Sequence, residues 1–369
     1  MHVDEDTAAL LHRFRFDAAA FAELRERLRQ DLAGDAQNRI AGEVTLPAPA
    51  DVTALPARGS EAYAALEARG NEAIRAGQVG AVVLAGGMAT RFGGVVKAAV
   101  DALPGRTFLD LKLAELRLAA ERAGGRVPVY LMTSFATDET VAALARKHTS
   151  EAAPAETFAQ YVSLRLTPAG DIFLEDDGTT SPYAPGHGDL GFALRASGIL
   201  ERFRAAGGRV IFMSNVDNLA ATLDPAIIGA HLVSSAAITA EVTEKEPGEK
   251  GGAPARVDGK PQIVEAFRFP AGFDQDAIPV FNTNTLMIDA DALDRDFALT
   301  WFAVRKKVGG REAVQFERLV GELTAVLPCA FLRVPRYGAE GRFQPAKDPD
   351  ELARRRPDIE ALMRARGVL

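Results

Sequence analysis

The 369-residue sequence has little cysteine and no long apolar run: Cys329 is its only cysteine. A single cysteine excludes an internal disulfide, which is typical of proteins from a reducing compartment. No uninterrupted apolar run approaches the roughly 18 residues that read as a membrane-spanning helix. The start, MHVDEDTAALLHRF, is acidic and lacks the basic region of a signal peptide. We therefore expect a cytoplasmic protein with no membrane partner.

The sequence also lacks an excess of basic residues. It contains 43 Lys and Arg residues and 50 Asp and Glu residues, which gives a formal net charge of −7. General nucleic-acid binding usually needs a basic face, so we expect small-molecule partners and no nucleic acid. A small anion held in a local basic pocket stays compatible with this charge. The chain length favours one large α/β domain with appendages, or two domains.

The order of predicted elements indicates the fold class. Apolar strands alternate with amphipathic helices between residues 79 and 235, as in a doubly wound, mostly parallel, Rossmann-like α/β sheet. We predict that this catalytic domain spans 79–335. Residues 1–78 would form an N-terminal helical cap packed on the sheet, and 336–369 a short C-terminal segment that carries Lys347.

Several local predictions accompany this division. The Pro- and Ala-rich stretch 42–59 is predicted to be a connecting loop, and Asp258-Gly259 predicts a hairpin turn. A helix is expected over 313–323, which would place Gln315 on a helix.

The most informative stretch is Val79–Lys97, an apolar run followed by glycine pairs and two cations. Glycines let backbone N–H groups approach a phosphate, and Arg91 and Lys97 add positive charge there. The alternative is a flexible turn with two solvated basic residues. The stretch matches neither GxxxxGK[ST] nor a clean GxGxxG.

Three polar clusters follow predicted strands, where open α/β sheets bind their ligands. They are PGHGD at 185–189, SNVDN at 214–218 and FNTN at 281–284. A carboxylate such as Asp217 at a strand end is a common magnesium ligand beside substrate phosphates. Ordinary turns, with Asp189 capping a helix, are the alternative. Gln160 could pair with a base, Glu265 with sugar hydroxyls, and Lys347 would by composition alone be a surface lysine.

Together these segments resemble the UDP-glucose pyrophosphorylases, or UTP–glucose-1-phosphate uridylyltransferases, of the long eukaryotic type. The motifs occur in the family's order between about residues 80 and 350. They are LAGG at 84–87, Gln160, PGHGD at 185–189, SNVDNLAATLD at 214–224, EVTEK with KGG at 250–252, VE at 264–265, FNTN at 281–284, VQFE at 314–317 and RFQPAK at 342–347.

The resemblance implies the sheet shared by nucleotide-sugar pyrophosphorylases and GT-A glycosyltransferases. It implies an enzyme that makes UDP-sugar and pyrophosphate from UTP and a hexose 1-phosphate, most simply glucose 1-phosphate, with Mg²⁺ on Asp217. It further implies nucleotide contacts from Leu84, Ala85, Gly86, Gly87, Gln160 and Gly186. The implied sugar-phosphate contacts are His187, Asn215, Gly252, Glu265, Asn282 and Asn284. Lys347 would be the catalytic lysine, with Lys97 and Arg91 as further cations at the phosphates.

The sequence departs from the family at three places. Gly87 to Lys97 is one residue shorter than the family spacing, and the usual proline before that lysine is missing. Thr90-Arg91 is closer to the acetylhexosamine branch. Beyond Lys347 the sequence has residues 348–369 where eukaryotic members carry a β-helix domain. We therefore expect a monomer or small homo-oligomer without that domain.

Alternatives stay open at this point. The reaction could use galactose 1-phosphate or an N-acetylhexosamine 1-phosphate. A GT-A-like glycosyltransferase would have an Asp-x-Asp metal motif, and Asn215-Val216-Asp217 lacks its first carboxylate. A nucleotide-sugar sensor would need neither Asp217 nor Lys347.

Overall fold

The computed structural model describes residues 4–89, 92–246, 248–249, 251–346 and 348–369. Within them the α-helices are α1 (Glu5–Arg13), α2 (Ala18–Arg29), α3 (Asp35–Asn38), α4 (Glu61–Arg75), α5 (Phe108–Ala123), α6 (Asp138–His148), α7 (Leu190–Ala196), α8 (Ile199–Ala205), α9 (Pro225–Val233), α10 (Ala290–Leu293), α11 (Leu323–Val326) and α12 (Pro349–Ala365). No helix in these ranges is both long enough and apolar enough to cross a bilayer.

The strands of the described residues follow the same numbering along the chain. They are β1 (Val44–Thr45), β2 (Val52–Ala54), β3 (Val79–Leu84), β4 (Met88–Ala89), β5 (Val95–Val96), β6 (Asp101–Leu103), β7 (Arg106–Thr107), β8 (Val129–Thr133), β9 (Ala155–Ala159), β10 (Ser163–Leu164), β11 (Pro182–Tyr183), β12 (Val210–Asn215), β13 (Ile238–Glu244), β14 (Ala253–Val257), β15 (Lys260–Val264), β16 (Val280–Asp289), β17 (Phe302–Val308), β18 (Arg311–Glu317) and β19 (Cys329–Arg333).

An eight-stranded sheet in the order β2-β19-β13-β16-β12-β3-β8-β9 forms the centre of the molecule. Every neighbouring pair in it is parallel except the two that involve β16, which is antiparallel to both β12 and β13. The predicted mostly parallel α/β fold is confirmed.

The central strands are apolar because the sheet is covered on both faces. Val79, Ala81 and Val83 of β3 point toward one core, which also contains buried residues of α4, α5, α9 and α12. Val82 points to the other face, against buried residues of α7 and α8. Alternate residues of one strand thus enter opposite cores, as the two-residue period of a strand requires.

The packing predicted for the N-terminal part is found for α4, whose Ala73 and Ile74 share a core with β3, but α1 and α2 pack differently. Arg15, with a φ of 56°, lies between α1 and α2. The apolar sides of α1 and α2 pack on Leu164, Val314 and Phe316 of β10 and β18, and this cluster meets the central sheet at Ala159 of its edge strand β9. The expected loop 42–59 contains β2, an edge strand of that sheet. The three-part division of the chain stays a prediction.

The expected helix over 313–323 is wrong. The two strands β17 and β18 pair antiparallel around Gly309-Gly310, whose φ values are 55° and 78°. Gln315 therefore lies on a strand, where it pairs with Val304. The Asp258-Gly259 hairpin is confirmed, with β14 antiparallel to β15 and positive φ at both turn residues.

Candidate active site

A cavity of about 330 Å³ lies at the carboxyl ends of β3, β8 and β12. It is at the edge of the sheet where parallel α/β proteins bind their ligands. Among its lining residues are nine that the sequence singled out: Leu84, Gly86, Gly87, Lys97, Gln160, Gly186, His187, Asn215 and Asp217. The cavity therefore joins segments that are up to 233 positions apart in the chain (84 to 317).

Gln160 lies against the turn after β3 that contains Gly86 and Gly87, called the glycine loop below. Its backbone N–H donates to Thr133 O at 2.9 Å, and its side-chain Oε1 accepts from the N–H of Gly186 at 3.2 Å. A Cβ on Gly86 would lie 2.2 Å from Gln160 Nε2. Gly86 is thus required for close approach, and the fixed amide turns its Nε2 donor toward the glycine loop.

His187 is held as a neutral hydrogen-bond donor. Its Nδ1 accepts from the backbone N–H of Val320 at 2.9 Å, so the ring proton belongs on Nε2. Burial lowers the pKa of His187 to about 4, and the nearby Glu317 carboxylate opposes this shift. At neutral pH the cavity therefore gains a directional donor without an additional charge.

The loop around His187 packs tightly on the backbone after β18. Gly186 has a φ of 107°, and a Cβ there would lie 2.9 Å from Arg318 O; at Gly188 it would lie 2.4 Å from Arg318 C. Asp189 does not cap the following helix. Its carboxylate accepts from Tyr161 N at 3.0 Å and pairs with the Arg318 guanidinium instead.

Lys97 and Asp217 form an ion pair inside the cavity, between Nζ and Oδ2. Lys97 also donates its backbone N–H to Gly87 O at 3.2 Å, which ties it to the glycine loop. Asp217 and Glu317 are the two carboxylates among the lining residues. The part of the chain that the structure describes has no group of three or more potential metal-ligating side chains.

A chain of amides extends from the cavity to Glu265. Asn284 Nδ2 donates to Asn215 Oδ1 at 2.9 Å, and Asn284 N donates to Asn282 Oδ1 at 3.0 Å. Asn282 N donates to Gly252 O at 2.7 Å. A Cβ on Gly252 would lie 2.9 Å from Glu265 Oε1. Five of the six implied sugar-phosphate residues are thus one connected group, and the sixth, His187, lines the cavity.

The surroundings of Glu265 disfavour the charged form of its carboxyl group. Burial raises the pKa of its carboxyl, Glu322 adds to the rise, and Arg268 opposes it. Arg268 is itself paired with Glu322. Keeping a charged hydrogen-bond acceptor at Glu265 therefore costs stability. Such a cost is common for carboxyl groups that bind a ligand.

Some predicted residues lie outside the cavity wall. Gly252, Glu265, Asn282 and Asn284 are connected to it as above, and Ala85 is buried behind it, donating its N–H to Met132 O at 2.8 Å. Arg91 and Lys347, both predicted cations, lie outside the described residues, as do Thr90 and Lys250.

Glu317 lines the cavity, and no role was predicted for it. Its Oε1 accepts from Gln315 Nε2 at 2.5 Å and lies 3.5 Å from Lys306 Nζ. The motif VQFE at 314–317 could have pointed to Glu317. The helix predicted over 313–323 gave its side chain the wrong orientation, so no role was assigned to it. Once β18 is recognised as a strand, Glu317 comes at its end, beside the 185–188 loop.

Comparisons with known proteins agree with this arrangement. The relative from Dictyostelium discoideum, UTP–glucose-1-phosphate uridylyltransferase 2, is 29% identical over 296 residues, which cover 75% of this chain and 58% of that protein. The chain spans about half the length of the curated relatives that it matches.

Solved structures of Trypanosoma brucei proteins have the same fold. A uridine diphosphate N-acetylglucosamine pyrophosphorylase in complex with an inhibitor gives a TM-score of 0.78 at 20% identity, covering 95% of this chain and 79% of that one. A UDP-glucose phosphorylase gives a TM-score of 0.74 at 22% identity, covering 95% and 78%.

The family itself follows from the sequence. The model of the UTP–glucose-1-phosphate uridylyltransferase family matches residues 42–362, which include every motif that lines the cavity. This chain belongs to the UTP–glucose-1-phosphate uridylyltransferase family.

Proposed function

We propose that this protein transfers a uridylyl group from UTP to glucose 1-phosphate. A phosphate oxygen of the sugar phosphate attacks the α-phosphorus, the bond to the β-phosphate oxygen breaks, and UDP-glucose and pyrophosphate form. The observation that carries the proposal is the single cavity that joins the glycine loop, Gln160, His187 and the Lys97–Asp217 pair. Such a reaction depends mainly on positioning and charge neutralisation.

The uridine end is assigned to Gln160 and the glycine loop. An amide presents both a donor and an acceptor, which suits the imide edge of uracil. The contact between Gly86 and Gln160 leaves no room for a side chain at Gly86. His187 donates from Nε2 to an oxygen of the substrate. The amides of Asn215, Asn282 and Asn284, with Glu265, receive the hydroxyl groups of the sugar.

Lys97 neutralises phosphate charge, and its pairing with Asp217 keeps it at the cavity between turnovers. Mg²⁺ fits this site because that ion is commonly held by one or two carboxylates together with substrate phosphates. Asp217 would hold it, and the ion would neutralise charge on the phosphates when bound. Lys347 is proposed as the cation at the α-phosphate, on the strength of the family motif RFQPAK.

The decisive experiment measures pyrophosphate release over a panel of nucleoside triphosphates and sugar 1-phosphates. We expect turnover with UTP and glucose 1-phosphate in the presence of Mg²⁺. A folded sample that binds UTP and releases no pyrophosphate with any sugar would contradict the proposal and favour a sensor. If galactose 1-phosphate or an N-acetylhexosamine 1-phosphate is the preferred substrate, the uridylyl transfer stands and only the identity of the sugar changes.

Lys347→Ala tests the catalytic assignment within the same assay. Removal of one preorganised donor at a developing charge typically lowers kcat by about 10²–10³-fold. Lys260→Ala is the matched control, because Lys260 is an exposed lysine at the start of β15, on the β14–β15 hairpin. Both variants should melt close to the wild type. Wild-type kcat in Lys347→Ala would remove Lys347 from the mechanism.

A further inference from the structure

Asn218 connects the loop after β12 to the segment that precedes Lys347. Its side chain is 1% exposed. The Nδ2 atom donates to Arg342 O at 3.1 Å, and Oδ1 accepts from Gln344 N at 2.9 Å. One carboxamide thus satisfies two backbone groups of another segment, as a neighbouring strand would. Asn218 directly follows Asp217 in the sequence.

The loop that carries Asn218 is itself fixed. Lys112 is 1% exposed, and its Nζ donates to Asn218 O at 2.7 Å and to Ala221 O at 2.8 Å. Asn218 N donates to Asn215 O at 3.3 Å. The carboxamide is therefore presented from a rigid loop, and a rigid support is what a positioning group needs.

The segment that Asn218 contacts is anchored at both of its ends. The Arg342 guanidinium forms two hydrogen bonds of 2.6 Å with the carboxylate of Glu241, a residue of β13. Ala346 is fully buried. Asp348 caps α12 by accepting from Glu351 N at 2.8 Å. Described residues on either side of position 347 are therefore held, and Asn218 supplies the contact at 342–344.

We infer that Asn218 is a positioning residue for uridylyl transfer, which acts through the 342–346 segment on Lys347. The inference rests on the proposed function. It assigns to one side chain the connection between the Asp217 loop and the lysine segment. Loss of the carboxamide frees two backbone groups and lets the segment shift. A displacement of about 1 Å is enough to lower a rate by roughly 10²-fold.

Asn38 provides a matched control elsewhere in the molecule. It is 7% exposed, its Nδ2 donates to Ala303 O at 2.8 Å, and its Oδ1 accepts from Ala303 N at 3.2 Å. The chemistry is the same as at Asn218, and neither asparagine lines the cavity. Asn218, however, directly follows the lining residue Asp217, whereas Asn38 connects α3 to β17. Asn38→Ala therefore reports the cost in stability of losing such a bridge without an effect on positioning.

The test is a double-mutant cycle with steady-state kinetics and thermal melts. Asn218→Ala should lower kcat by about 10²-fold, with a smaller change in the KM for UTP, whereas Asn38→Ala should keep kcat within about two-fold. In the Lys347→Ala background, Asn218→Ala should lower kcat by no more than about two-fold further. Groups that act as one unit are non-additive in this way.

The contrary results are distinct. Equal losses from Asn218→Ala with and without Lys347 would overturn the inference, as would an Asn38→Ala variant as slow as Asn218→Ala. If Asn218→Ala does not fold, Asn218→Ser enters the same cycle with the same criteria. A wild type without pyrophosphate release would instead contradict the proposed function, and wild-type kcat in Lys347→Ala would contradict the lysine assignment.

Discussion

At the scale of single residues, His187 should stay neutral throughout the physiological pH range. Its folded-state pKa of about 4 lies below the usual 6.5. Between these values the unfolded state binds more protons, so stability is lost as pH falls from about 6.5 toward 4. NMR titration of the labelled imidazole should show the Nε2–H tautomer and no protonation above about pH 5. A midpoint near 6.5 would contradict the placement of the ring.

Glu265→Gln should separate stability from function. Burial and Glu322 disfavour the charge, so the amide should melt at or above the wild-type temperature. A charged acceptor of sugar hydroxyls contributes about 1.5–3 kcal/mol per hydrogen bond, so the KM for glucose 1-phosphate should rise by roughly 10-fold to 100-fold. An unchanged KM would remove Glu265 from the sugar site.

At the scale of elements, the loop 185–188 depends on its close contact with the backbone of Arg318. Gly186→Ala combines a φ of 107° with a Cβ only 2.9 Å from Arg318 O. Overpacking typically costs about 1–3 kcal/mol. Gly178→Ala is the control, because Gly178 has a φ of 82° with nothing within 4 Å of its Cβ position. We expect Gly186→Ala to lower the denaturation midpoint more. Equal denaturation midpoints for the two variants would mean that the loop moves to accommodate the added methyl group without a loss of stability.

Elements with local signals were predictable from the sequence. The helix α5 (Phe108–Ala123) has such signals at both ends, because Thr107 caps it and Gly124 ends it with a φ of 68°. The strands β17 and β18 have no such signal, because consecutive exposed charged residues at 305–307 and 311–312, next to the turn, interrupt the two-residue pattern. Their orientation depends on distant contacts, such as the bridge between Leu166 and Val314.

The same distinction applies to the site. Motifs predicted the glycine loop, Gln160, His187 and Asp217, because each of these residues lies in a short stretch of recognisable chemistry. The ion pair between Lys97 and Asp217 spans 120 positions, and the contact of Asn218 with Gln344 spans 126. Such contacts depend on how strands and loops pack in three dimensions, which local patterns do not contain.

At the scale of the whole molecule, a buried ion pair joins the central sheet to the C-terminal segment. The side chains of Glu241 and Arg342 are 0% and 3% exposed. Glu241→Leu leaves Arg342 buried without its partner, which typically costs about 3–5 kcal/mol. The double variant Glu241→Leu with Arg342→Met should recover at least half of that loss in urea unfolding. Additive losses would contradict the coupling.

The edge of the central sheet has a consequence for biosynthesis. The strand β2 pairs with β19, and the hydrogen bond from Thr53 to Phe331 O joins residues 278 positions apart. A ribosome therefore releases the first strand of this edge long before its partner exists. Until then β2 and the outer side of β13 are unpaired edges, which are open to wrong pairing. The edge is completed only once β19 has been synthesised, so a chain interrupted before β19 would emerge with the central sheet open at β13.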